Sequence, residues 1–132
     1  MLEYKTRQRG DVTILDLNGA ITLGEALAPG LESGEKDGVA PEPVLLGEII
    51  RRLLHQGHIK ILLNLQGVSF IDSSGLGELV GAVTSVQRNG GQLKLLNPVP
   101  KVINVLRLTR LDHLFAVETD EDAAVQSFSL PN

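Results

Sequence analysis

The sequence predicts an α/β domain: a mixed β-sheet opened by an N-terminal hairpin, with helices packed against it. Three observations carry that expectation. Residues 4–17 hold two short extended stretches around a Gly10-Asp11 turn. Residues 59–65 (IKILLNL) are nearly all apolar, the mark of a strand covered on both faces. Downstream, helical spacing of apolar residues alternates with short strands, as in β-α repeats.

Tyr4 to Gln8 alternates weakly and reads as the first strand, and Val12 to Leu17 as the second, with Val12, Ile14 and Leu17 as its apolar members. Asn18-Gly19 reads as another turn, before a short extended piece, Ala20 to Leu23. Residues 24–43 are rich in Gly, Pro, Glu and Ala without a sustained apolar period, and read as a loop or insertion within the single domain. Pro43 suits a first helical turn. Leu46, Ile49, Ile50, Leu53 and Leu54 then follow helical spacing up to Gly57. A second helix is marked by Leu76, Leu79, Val80, Val83 and Val86, ending at Asn89-Gly90-Gly91. Gln92 to Leu96 is a strand. Pro98-Val99-Pro100 opens a helix with Val102, Ile103 and Leu106 on its core side. Phe115 to Val117 reads as a last short strand, and Thr119 or Asp120 as the cap of a final helix. Strand–helix–strand connections are normally right-handed, so the strands at 59–65 and 92–96 should be parallel.

With 132 residues there is length for one domain and a real core. Aromatics are scarce, three Phe, one Tyr and no Trp, so Leu, Ile and Val must build the interior. The formal net charge is −4 with Lys and Arg scattered, which argues against nucleic acid or an anionic membrane as direct partner. Absence of cysteine excludes disulfides and thiolate metal sites. The opening MLEYKTRQRGD lacks the apolar stretch of a signal peptide, and no apolar run approaches a membrane span. A cytoplasmic domain is expected, with no cofactor and no metal. His55 and His58 sit three apart around a helix end and read as solvated turn residues, and His113 as a surface or cap residue.

The stretch that asks for a function is FIDSSGLGELV, residues 70–80. Its plainest role is a helix cap, in which a short oxygen-bearing side chain accepts from a free N–H of the first turn. A strict capping box counted from Ser74 fails, because Gly77 stands where Glu or Gln is wanted. Three features ask for more. Gly75 and Gly77 each cost about 1 kcal/mol in a helix relative to Ala, which close approach of another backbone or molecule would explain. The serines lie at a helix N-terminus, which favours an added anion. Residues 64–87 contain no Lys or Arg, and their only charges are Asp72 and Glu78. A phosphoryl group brings about −1.5 to −2 charges, so in this setting it would repel acidic neighbours and switch a contact off. The serine is a poor fit to a nucleophile elbow, since Ile71 and Asp72 occupy the place of its first glycine, and nothing places Asp112-His113 beside it. Gly75-x-Gly77 fails as a dinucleotide fingerprint because Val80 follows.

The segment ILLNLQGVSFIDSSGLGELVGAVTSVQRNGGQLKLLN closely resembles the centre of STAS domains, the family of bacterial anti-sigma factor antagonists. GAITLGE upstream and VLRLTRLDHLFAVETDEDAAVQSF downstream match in character. The resemblance implies partner switching. The unphosphorylated antagonist binds an anti-sigma factor that is also a serine kinase, phosphorylation of the serine after the motif's aspartate breaks the complex, and a PP2C-type phosphatase restores it. On this chain that phosphoacceptor is Ser73, preceded by Asp72, with Asp72, Ser74, Gly75, Leu76 and Gly77 in the docking surface. The domain is then a substrate and not an enzyme. Two departures stand out: Asn64 where the family often has Asp, and a longer connection at 24–43, which would emerge at the same end as Ser73 if the preceding strand runs parallel to 59–65, there either flanking the partner surface or serving only as a tolerated surface insertion. The alternative within the family is an unphosphorylated scaffold or transport-system subunit that binds a protein or small ligand.

Overall fold

A computed structural model describes residues 2–22 and 45–128. Five strands form one mixed sheet in chain order: β1 (Leu2–Arg9), β2 (Val12–Ile21), β3 (Lys60–Ile71), β4 (Gln92–Leu96) and β5 (Ala116–Glu118). The β1–β2 hairpin is antiparallel, turning at Gly10 with φ +62°, and every later pairing is parallel. Helices α1 (Leu46–His55), α2 (Ser73–Arg88) and α3 (Pro100–Leu108) make the three crossovers between parallel strands. Because each crossover steps one strand further in the same direction, a constant hand puts all three on one face. There Leu15, Leu17, Ile61, Leu63 and Leu65 of the sheet meet Ile50, Leu79, Val86 and Val102 of the helices in the main core. The final helix, α4 (Glu121–Ser127), follows β5 and lies on the opposite face, where Ala124 and Phe128 cover Val12, Ile14, Leu62 and Leu96.

This two-sided burial revises the alternation read in the second strand: Val12, Thr13, Ile14, Leu15 and Leu17 are all buried, because β2 is an interior strand with cover on both faces. Asn18-Gly19 is not a turn. The strand runs through it to Ile21, and Gly19, at φ +110°, sits among two register shifts between β2 and β3. Likewise β3 continues past Leu65 to Ile71, pairing with β2 alone once β4 has ended opposite Asn64. The last strand begins one residue later than expected, and Phe115 is buried in the core ahead of it. Of the two candidate caps for α4, Asp120 is the one used, accepting from Ala123 N–H at 2.8 Å. The stretch 24–43 and Pro43 lie outside the described residues.

His58 is half-buried rather than solvated. Its Nδ1 lies 3.2 Å from the hydroxyl of buried Thr13, which donates to Gln8 Oε1 at 3.0 Å. The Thr13 hydroxyl thus bridges the two side chains, and the imidazole pins the start of β3 to the hairpin. Asp112 and His113 form a 3-10 turn just before β5, at the amino end of the parallel strands. Ser73 follows β3, at the carboxyl end. A Ser-His-Asp arrangement from these residues is therefore excluded by topology.

Candidate functional site

At the carboxyl end of β3 the chain passes directly into α2. Asp72 is the N-cap: its backbone is extended, and its Oδ1 accepts from Gly75 N–H at 2.7 Å. The cap is therefore Asp72 rather than Ser74, which places Ser73 and Ser74 as the first two helical residues, both exposed. Of the two charges in residues 64–87, Asp72 is half-buried in its capping role and Glu78 is engaged by the neighbouring helix.

The two glycines have different reasons. A Cβ on Gly75 would overlap the carbonyl oxygen of Ile21, so its absence lets the end of β2 run against the first turn of α2. The Asp72 N–H reaches the same carbonyl at 3.4 Å. Gly75 and Leu76 are both buried and face their own domain. Gly77 is exposed, and a Cβ there would meet nothing within 4 Å. Close approach of a backbone thus accounts for the first glycine, and nothing in the described residues accounts for the second.

Two features of this region were not flagged by the sequence: an exposed aromatic and a capping carboxylate. Phe70 is 46% exposed, directly before the buried Ile71. The only available signal was its rarity, one of three Phe in the chain. Glu78 leaves α2 sideways, and its Oε1 accepts from Gly47 N–H at 2.8 Å. Leu45, the N-cap of α1, offers no side-chain acceptor, so a carboxylate from the neighbouring helix does that work. Glu78→Ala should destabilise the domain by about 1 kcal/mol, the usual worth of a cap. Glu78→Gln, which keeps an acceptor, should cost less, and urea midpoints would compare them.

Thr22 ends the first described segment at the same end of the sheet as Ser73, because β2 is parallel to β3 and Ile21 pairs with Ile71. Among the described residues no group of three or more His, Cys, Asp or Glu is placed to hold a metal ion, and no helix is long and apolar enough to cross a membrane.

With this geometry in view, the STAS domain family model matches residues 3–124. The chain belongs to the STAS domain family. An anti-sigma-B factor antagonist of Bacillus subtilis is 34% identical over 94 residues, covering 71% of this chain and 84% of that protein. An anti-sigma F factor antagonist of Lysinibacillus sphaericus is 35% identical over 75 residues, 56% of this chain and 64% of that one. A Thermotoga maritima relative is matched over 61% of its own length. Among solved structures, a crystal structure from Thermotoga maritima is 27% identical, with a TM-score of 0.74 over 96% of this chain and 95% of that one. The anti-sigma factor antagonist SpoIIAA in its unphosphorylated form shares the fold at 20% identity and a TM-score of 0.59, over 95% of this chain and 96% of that one. The STAS domain seen here has the family's single mixed sheet, with its serine motif at the start of α2.

Proposed function

We infer that this STAS domain is an anti-sigma factor antagonist that binds an anti-sigma factor with serine kinase activity and is released from it by phosphorylation of Ser73. The observation that carries the reading is the placement of Ser73: exposed, first in α2, next to the capping Asp72, in a stretch without a cation from 64 to 87. A helix N-terminus tolerates a phosphate, because free N–H groups and the dipole favour it. The fold would thus survive the modification. A docked partner would not, since two added charges would enter an interface beside Asp72 with no Lys or Arg in the stretch to receive them. A PP2C-type phosphatase would reverse the step.

Burial distinguishes the residues assigned to docking in this reading. Ser73, Ser74 and Gly77 offer themselves outward and Asp72 is at the rim, whereas Gly75 and Leu76 are buried and support that surface from beneath. The chain acts in this scheme as a substrate and binding partner, with no catalytic residue of its own.

The test is reconstitution with the kinase the protein binds in its native host, followed by MgATP and phosphopeptide mapping. Phosphate is expected on Ser73, with dissociation of the complex. Ser73→Ala should bind and stay bound after ATP. Ser73→Glu should bind roughly 30-fold more weakly, about 2 kcal/mol. Phosphate on another residue, or wild-type affinity of Ser73→Glu, would remove the switch and leave an unphosphorylated scaffold as the better description.

A further inference from the structure

We propose that Asn64 couples the docking of α4 to the conformation of the segment that presents Ser73. The coupling runs through one unbroken chain of hydrogen bonds on the face of the sheet away from the main core. It begins on α4, where Glu121 holds Arg7 through both terminal nitrogens, at 2.9 and 3.2 Å. The same guanidinium grips Asp16 through Nε at 2.7 Å and Nη2 at 3.0 Å. Asp16 Oδ1 accepts from Asn64 Nδ2 at 2.7 Å, and Asn64 Oδ1 accepts from the backbone N–H of Gln66 at 3.2 Å.

That last bond lies within an irregularity. β2 and β3 are in register up to Asp16–Asn64, and the next pair is Asn18–Gly67, so β3 spends one residue more than its neighbour. The extra residue loses its place in the ladder, and the Asn64 side chain supplies an acceptor to the Gln66 N–H there. Beyond this bulge β3 has lost β4 as a neighbour and runs to Phe70, Ile71 and the Asp72 cap with β2 alone beside it. Its register in that stretch decides how far Asp72 and Ser73 stand from the end of β2.

Asn64 suits the link because its carboxamide has only one satisfactory orientation. The amide nitrogen faces a carboxylate and the oxygen faces an N–H, so a flip would set like against like at both ends. An aspartate at 64 could hold the bulge but would oppose Asp16. The other end of the chain is the element able to move: α4 has seven residues and covers a small apolar cluster. A short helix with so little apolar cover opens at low free energy. Undocking it removes Glu121 from Arg7, frees the half-exposed guanidinium, and loosens the carboxylate that orients Asn64.

Amide hydrogen exchange with mass spectrometry on the whole protein tests this. Glu121→Gln weakens the α4 contact with little change of shape. Exchange should rise in α4 and also, roughly fivefold or more, in peptides covering 66–71, at the lower end of couplings that define linkage. Peptides of β4 (92–96), paired with the other half of β3, should not change. Asn64→Leu should speed exchange at 66–71 by itself, and adding Glu121→Gln to it should then have no further effect there. If Asn64→Leu does not fold, Arg7→Gln interrupts the same chain at a half-exposed link and must give the same non-additivity. A rise confined to α4 in Glu121→Gln, or additive effects at 66–71 in the double variant, would overturn the coupling. Its bearing on Ser73 phosphorylation rests on the proposed switch, but exchange is read without any kinase, so failure of one is distinguishable from failure of the other.

Discussion

Gly75→Ala is expected to destabilise the domain by about 3 kcal/mol, at the upper end of overpacking substitutions. The new methyl would overlap the Ile21 carbonyl oxygen, a backbone atom at the end of an interior strand. No rotamer change can relieve that, so β2 and the first turn of α2 must separate, and the Asp72 N–H contact with the same carbonyl goes with them. Gly77→Ala and Gly81→Ala provide the contrast two and six residues further on. A Cβ at either meets nothing within 4 Å, so each substitution should stabilise α2 by up to about 1 kcal/mol through helix propensity. Urea denaturation of the three variants would check both signs. The contrast also bears on function. Gly77→Ala gives a sturdier domain, and if partner docking follows the proposed surface it should bind the anti-sigma factor less well. A stabilising effect of Gly75→Ala would mean that the close approach of β2 and α2 is not what that glycine serves.

The order of elements was legible because each is marked locally. The 3.6-residue spacing of Leu46, Ile49, Ile50 and Leu53 needs no tertiary knowledge, and neither does the unbroken apolar run at 59–65. What stayed hidden depends on register or on neighbours distant in sequence. Asn18-Gly19 is among the strongest hairpin signals, yet here its glycine lies inside a strand with irregular pairing. Residues 66–70 do not look like a strand because they form the part of β3 that has lost β4, so polar Gln66 and Ser69 are tolerated. At the site, the serine motif stood out, but the choice between Asp72 and Ser74 as cap turned on a shift of two residues, within the usual error of a helix boundary. Glu78 capping α1 was invisible, since its partner amide lies 31 positions earlier. Arg7 meeting Glu121 spans 114 positions, and nothing in either local sequence announces it.

That ion cluster should give the domain an acid limb, and Asp16→Asn should flatten it. The Asp16 carboxyl is held below its ordinary range, first by hydrogen bonds from Arg7 and then by Asn64, against the opposing effect of its partial burial. Glu121 is held low as well, by Arg7 and then Arg9. Arg9 also bonds Asp122 at 2.8 Å, so three acidic groups meet two guanidinium groups between the hairpin and α4. A carboxyl whose folded value is depressed contributes stability that is fully present above its unfolded value, about 3.9 for Asp and 4.3 for Glu. The contribution is lost as pH falls through the unfolded value towards the folded one. Wild-type stability should therefore be level near neutrality and decline steeply below about pH 4. Asp16→Asn should lower stability at pH 7 by about 2 kcal/mol, the scale of hydrogen bonds to a charged group. It should also decline less than wild type between pH 5 and pH 3, because one of the titrating groups is gone. Arg7→Gln should go further, removing the principal cause of both shifts at once. The Asp11–Lys60 pair lowers the Asp11 carboxyl too, but it is solvent-exposed and adds little. Urea midpoints at three pH values separate these cases. An acid decline in Asp16→Asn as steep as in the wild type would show that Asp16 is not among the groups that set it.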